Sequence, residues 1–506
     1  MGEQIDDVVI VGGGDAGLLT ALGLRKMNPE ISVSVVDNFD ADIPRVGKAT
    51  FREILPLLHG SLDIDERRFI SEVKPVWKAT AYFRDWCGYQ PFHYPFDPAT
   101  KFPNPHEANT YEQYYHWYTE RYADPNHLTI GEEIADQGKA PWYYDPSQGA
   151  YEKYSEMAYH LDTERFNTFL RTLCREEDVA LIDDVVTEVE TTGNHVDRVR
   201  SESQSYEADL YVDGTGFNRL LKGRQDTPFT EFEIPLDAAV TTQVDRSLSD
   251  IVPATVLDTG EYGWFWQIDT YEQRDLGYVY ASEYVSDEDA RAEFVEHFDE
   301  EYGPDDVVKY DFDSGFYEQA LADNCLAVGN AVGFVEPLQA PALTTHAKAA
   351  VQLGSLLSAH NRVLDGAVRD AFNAWMTDTW NSIYDFISIH YAFSSGDNEF
   401  WEAMQSIDLR PRTRLLIDEY DRAGIDRNVD PTTKETGHSS FEIFHPMAFY
   451  IVMRHMGATS SFYEEHPATV TDEFREFKDD LDQATTDHVD DFITHEEMYK
   501  GVVDAW

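Results

Sequence analysis

The chain has 506 residues and carries 95 Asp and Glu against 39 Lys and Arg, a formal charge of −56. Hydrophobic residues still make up 42% and aromatics 13%, so it is equipped to fold, and its length calls for two or three intertwined modules because single cores seldom grow past roughly 250–300 residues. No basic face is visible for a phosphate backbone, which disfavours nucleic acid as a partner.

The first elements read as strand, glycine-rich turn, helix, strand: Val8 to Val11, then Gly12-Gly13-Gly14-Asp15-Ala16-Gly17, a helix through Leu24, and Ile31 to Val36 ending at Asp37. Lys74 to Phe96 is rich in aromatics and short strands. Tyr159 to Arg175 reads as a helix opened by Asp162, with Thr163 and Glu164 in its first turn. Val179 to Val199 returns to strands, Val256 to Tyr284 alternates as a mainly antiparallel sheet, and Asp287 to Phe298 is helical. Cys325 to Val328 is a short buried strand leading into Gly329-Asn330, and the chain is mostly helical from Thr344 onward.

Self-repulsion at this charge weakens a compact state, and salt near 1 M, where the Debye length falls to about 3 Å, removes most of that cost. A halophilic protein is expected. Cys87, Cys174 and Cys325 lie far apart without CxxC spacing, so neither a metal site nor a disulfide framework is expected. No leader pattern opens the chain and no apolar run approaches the roughly 18 residues of a membrane helix, so the expected location is cytoplasmic, away from membranes.

The glycines at 12, 14 and 17 have separate tasks: the first permits the turn, the second lets a pyrophosphate approach the backbone, and the third lets helix and strand pack closely. Phosphates then face a helix N-terminus, beside Ala16, and Asp37 stands where a carboxylate accepts hydrogen bonds from ribose hydroxyls. FAD and NAD share this fingerprint.

Further stretches choose between them. Val46-Gly47-Lys48-Ala49-Thr50, Ala158-Tyr159-His160-Leu161-Asp162, Asp209 to Phe217, Gly263-Trp264-Phe265-Trp266-Gln267-Ile268, Gly329 to Leu338, and Trp77-Lys78-Ala79-Thr80 stand in the order of the motifs of the flavin-dependent tryptophan halogenase family, which the chain resembles along nearly its whole length. Two tryptophans two apart on a strand share one face, an arrangement that also simply fills a core. The resemblance implies an α/β fold: an FAD-binding Rossmann-type module of the glutathione-reductase-like flavin monooxygenase kind, an antiparallel substrate sheet and a mostly helical C-terminal module. It divides the chain into FAD-binding parts at 1–73, 151–222 and 311–355, substrate-side strands and loops at 74–150, the substrate sheet at 223–310 and the helical module at 356–506.

It also implies FAD as cofactor, held by Gly12, Gly14, Ala16, Gly17, Asp37, Lys48, Ala49, Thr50, Val186, Gly329 and Asn330. Reduced flavin, O2 and halide then yield a hypohalous oxidant that acts at Lys78 on an electron-rich ring, with Tyr94 and Phe96 as stacking residues. Only one dinucleotide fingerprint is present, so reduced flavin is expected from a separate NAD(P)H-dependent reductase; a homodimer is left open. The family's glutamate beside the lysine is replaced by Gln339, which lacks basicity, and Pro341 brings no N–H to the halide loop, leaving the amides of Ala342 and Leu343. Lys48 stands where the family's flavin-covering loop has glutamate. A flavin monooxygenase without halogenation and a non-catalytic flavin-binding protein therefore stay open beside the halogenase.

Overall fold

The computed structural model describes residues 2–41, 47–96, 129–298, 307–424, 443–444, 446–465 and 472–503. It divides into two compact units: Met1–Pro75, Leu161–Phe232 and Asp311–Asn381 form the first, and Val76–His160, Glu233–Tyr310 and Ser382–Trp506 the second. The mixed α/β architecture has several sheets and a helical C-terminal portion.

The first unit is built on a six-stranded sheet in the order Ala180–Asp183, Ser32–Asp37, Asp7–Val11, Leu210–Asp213, Cys325–Ala327, Leu321–Ala322. The first five strands are parallel and the last is antiparallel. Val8 to Val11 and Leu210 to Val212 are buried as unbroken apolar runs, as expected of a parallel sheet covered on both faces; Val9, Val11 and Tyr211 pack with Val196, Val199 and Tyr206 of an antiparallel three-stranded sheet. The helix Asp15–Met27 crosses Ala342–Ala359 at two glycines: a Cβ on Gly23 would lie 2.7 Å from the Ala350 carbonyl oxygen, and one on Gly354 2.8 Å from that of Gly23.

Where helical character was expected from Tyr159 onward, Ala158–Leu161 is a buried strand, and the helix occupies Thr163–Glu176. Asp162 makes the break. Its carboxylate accepts from the Arg165 amide at 2.7 Å, so the residue caps the helix from an extended conformation. The first helix also runs past the expected Leu24 to Met27. From Thr344 onward helices predominate, with short strands at Val363–Leu364 and Phe492–Thr494; the stretch 425–442 of that helical reading lies outside the described residues.

The second unit centres on a seven-stranded sheet in the order Val308–Asp311, Ala238–Asp245, Gln273–Tyr280, Gly263–Asp269, Ala254–Gly260, Thr80–Asp85, Phe92–Pro95. From Ala238–Asp245 to Phe92–Pro95 it is antiparallel except where Thr80–Asp85 runs parallel to Ala254–Gly260. Alternation separates its two faces. Phe265, Tyr278, Tyr280, Ala238 and Val240 cluster with Ala290 and Phe294 of the helix Asp287–Phe298. The opposite face carries Phe83, Phe92, Thr255, Trp264 and Trp266, and its rings meet Phe386 and His390 of the helix Gly366–Ala392 through Tyr94 and Phe83.

Trp266 lies directly across from Gly277, and a Cβ on that glycine would stand 1.9 Å from the indole. The indole thus lies flat on the neighbouring strand, which only a residue without a side chain permits. Gly277→Ala is expected to lower stability by about 1–3 kcal/mol, the usual cost of overpacking, as read by urea unfolding. An unchanged midpoint would show that the indole does not depend on this glycine.

Candidate active site

In the first unit a crevice of about 420 Å³ opens at the carboxyl ends of the parallel strands. Gly12, Gly14, Ala16, Asp37, Lys48, Val186, Gly329 and Asn330 all line it. Gly17 does not; its missing Cβ would fall 2.1 Å from the Gly12 carbonyl oxygen, so it serves the close helix–strand packing. Ala49 and Thr50 also lie outside the lining, and Val46 lies outside the described residues.

Backbone geometry explains the glycines. Gly12 has φ +106°, a conformation in which an added Cβ would meet Gly214 at 2.5 Å, whereas a Cβ on Gly14 would meet nothing within 4 Å. Open space thus stands at the start of the Asp15–Met27 helix, where amides and helix dipole favour an anion. One Asp37 carboxylate oxygen accepts from the Gly13 amide at 2.7 Å, which orients the group at the end of its strand.

The turn at Gly214–Gly216 is shaped by a buried carboxylate. Asp213 accepts from the Thr215 amide and hydroxyl at 3.0 and 2.6 Å and from the Leu221 and Lys222 amides at 2.8 Å each. Upstream, Asp209 accepts from the Asp6 and Asp7 amides at 2.8 and 2.9 Å, tying this segment to the first strand. Asp15, Asn218 and His346 also line the crevice. Sequence reasoning passed over them; Asp15 was visible as a charge inside the glycine turn, while the other two had no local signal.

Further along this unit, Gln339 is buried, with φ +65°, and Ala340 follows at φ +53°. Pro341 caps the Ala342–Ala359 helix, and its carbonyl accepts from the Thr345 amide and hydroxyl at 3.0 and 2.9 Å. Ala342 and Leu343 therefore open a helix, a position whose amides have no intrahelical acceptor.

In the second unit Lys78 ends the strand Val76–Lys78, which pairs antiparallel with Ala158–His160. The Trp77 amide donates to Nε2 of buried His495 at 3.1 Å, and the Trp77 indole packs on Tyr159 with centroids 4.7 Å apart. Lys78 itself is 1% exposed, and its Nζ lies 5.2 Å from the centre of the Phe96 ring, which meets Tyr94 edge-on at 6.1 Å. Burial in these surroundings lowers the amine to about 7. His160 donates from Nδ1 to the Asp269 carbonyl at 3.1 Å, leaving Nε2 to accept from the Thr255 hydroxyl at 2.9 Å. Burial first, and nearby Lys78 second, hold this imidazole neutral by pushing it well below the usual histidine range. Lys78, Tyr94 and Phe96 thus stand together beside an aromatic sheet face.

A family model described as tryptophan halogenase matches residues 7–472. The chain belongs to the tryptophan halogenase family. Its relatives include the tryptophan 7-halogenase RebH of Lentzea aerocolonigenes, 28% identical over 85% of this chain and 84% of that protein, and the tryptophan 6-halogenase SttH of Streptomyces toxytricini, 28% identical over 78% and 80%. Among solved structures, MibH, a tryptophan 5-halogenase, superposes with a TM-score of 0.77 at 29% identity over 99% of this chain and 93% of that one. The fold is also that of BrvH, a flavin-dependent halogenase from Brevundimonas sp. BAL3, with a TM-score of 0.81 at 23% identity over 99% of both chains. This flavin-dependent family is of the oxidoreductase type, and no helix among the described residues is long and apolar enough to cross a membrane.

The lowered Lys78 amine has a thermodynamic consequence. Between about 7, its folded value, and 10.5, the ordinary lysine value, the unfolded chain binds the additional proton, so stability rises with pH through that window; below it both states are protonated and the cost is constant. Lys78→Met removes the effect. Its stability advantage over the native protein should shrink from acid to alkaline pH by on the order of 5 kcal/mol in urea unfolding at graded pH, and parallel profiles would contradict the burial argument.

Proposed function

We propose that this family member is an FAD-dependent halogenase acting on an electron-rich aromatic such as tryptophan or another indole or phenol. The observation that carries the reading is the buried Lys78 amine, held within an aromatic wall on the strand that bears the family's lysine motif. The crevice suits a flavin dinucleotide: Gly14 leaves room at a helix start, Asp37 stands at the ribose end, and Gly329 lies so close to Ala16 that a Cβ would approach it at 2.7 Å.

Bound reduced FAD supplies the activation of O2 by which halide becomes a hypohalous oxidant. The protein does the rest. Gly12, Gly14 and Ala16 would receive the pyrophosphate and Asp37 the ribose, with Lys48, Val186, Gly329 and Asn330 holding the remainder. The Ala342 and Leu343 amides hold halide at the positive end of their helix. Lys78 hydrogen-bonds the oxidant and directs it to a ring stacked by Tyr94 and Phe96. Gln339 orients without accepting a proton, so the ring proton passes to water. A separate NAD(P)H-dependent reductase supplies the reduced flavin. The formal charge of −56 suits concentrated salt, where abundant chloride offsets the donor that Pro341 lacks.

A second reading, flavin oxygenation without halogenation, is favoured by Gln339 and Pro341 alone. One experiment separates them: purified protein with FAD, a flavin reductase, NADH, O2 and aromatic substrates in molar chloride or bromide, analysed by mass spectrometry. Halogenated product is expected, falling at least about a hundredfold in Lys78→Ala. Oxygenated product formed without halide would establish the alternative, and undiminished halogenation in Lys78→Ala would remove the lysine from the reaction.

A further inference from the structure

The charges at the mouth of the crevice are arranged in an unexpected way. Asp15 is the first residue of its helix, with a side chain only 3% exposed, and so places a carboxylate at the end of the helix that attracts anions. Asn167 secures it, donating from one amide nitrogen to the Asp15 carboxylate at 3.2 Å and to the Gly13 carbonyl at 3.1 Å. Lys48, on the short strand Lys48–Ala49, forms an ion pair with the other Asp15 oxygen. Both residues line the crevice beside the open space at Gly14.

A pyrophosphate entering at that helix start meets two opposed influences. The amides and dipole attract it, while a carboxylate of the same sign already occupies part of the same field. Lys48 is the positive charge that both anions can use, and its side chain, one-third exposed, reaches the crevice without being sealed in. The usual reading of an aspartate here, a helix-start residue that merely stabilises the fold, does not account for its lying in the anion position with the crevice's lysine paired to it.

We propose that Asp15 and Lys48 form an ionic latch in which the aspartate stands in for an anion at the helix start and Lys48 passes from it to the pyrophosphate of the entering flavin dinucleotide. Asp15 then sets cofactor affinity by competing with the ligand. The inference rests on the reading of the crevice as a flavin dinucleotide site. It gives a cofactor held loosely enough to exchange with a pool of flavin reduced elsewhere.

The test is equilibrium titration with FAD and with ADP, which shares the pyrophosphate but lacks the flavin, following heat for both and flavin fluorescence for FAD. Asp15→Asn keeps the acceptor for Asn167 but removes the charge; it should tighten both ligands about tenfold, the size of one charge-assisted hydrogen bond gained. Lys48→Met leaves an uncompensated carboxylate and should weaken both by at least about tenfold. Asp15→Ser, which removes the charge with a different side chain, should also tighten binding, and urea unfolding checks that each variant is folded. Unchanged or weaker binding in folded Asp15→Asn and Asp15→Ser overturns the latch while leaving the flavin site intact. A native protein that binds neither FAD nor ADP overturns the flavin site and the latch together.

Discussion

A primary amine kept away from water is the constraint on which the second unit turns. Desolvation disfavours the ammonium form, and Lys78 is buried at the end of a short strand with an aromatic ring under its nitrogen. A fold keeps such a group only if the surrounding structure is rigid enough to prevent escape to solvent. Here the Trp77 amide is tied to His495 and the strand is paired with Ala158–His160, so the backbone that carries the lysine is fixed. His160 adds no second charge, since burial first and the nearby Lys78 second keep its ring neutral.

The first unit solves a different problem, how to present backbone amides to a ligand. Glycines remove Cβ atoms where the turn tightens, and carboxylates hold the chain: buried Asp213 gathers four donors at the Gly214–Gly216 turn, and the partly exposed Asp209 clamps the start of the first strand. Asp213 accepts hydrogen bonds from amides and a hydroxyl, so its charge is satisfied inside the protein. Gln339 and Ala340 sit in the left-handed region just before the Ala342–Ala359 helix, so the departures from the family pattern occur on a backbone that still turns sharply into a helix start.

What could be read from sequence was local. The strand–glycine–helix–strand unit and Asp37 depend on residues within one short segment, and the crevice gathers most of the residues that this spacing singled out. Lys78, Gln339 and the paired tryptophans were legible through ordered resemblance, because composition alone does not distinguish a buried lysine from an exposed one. Long-range pairings were not legible. His495 meets Trp77 across 418 residues, and Lys48 meets Asp15 only because the chain folds back after the second parallel strand. The Trp266–Gly277 contact needs the strand register, which alternation alone leaves open. In sequence Tyr159 to Leu161 runs into the following helix because nothing before Asp162 breaks the pattern, and pairing with the Lys78 strand overrides that local preference.

The most direct test of this account is the titration of Lys78 itself. In protein labelled with 13C at lysine Cε, the Lys78 resonance, assigned by its loss in Lys78→Arg, can be followed from about pH 5 to about pH 11. A midpoint near 7 is expected, well apart from the other lysines. A Lys78 resonance that titrates with them near the ordinary lysine value would mean that the amine reaches water, and the buried, aromatic-walled site on which the chemistry depends would have to be abandoned.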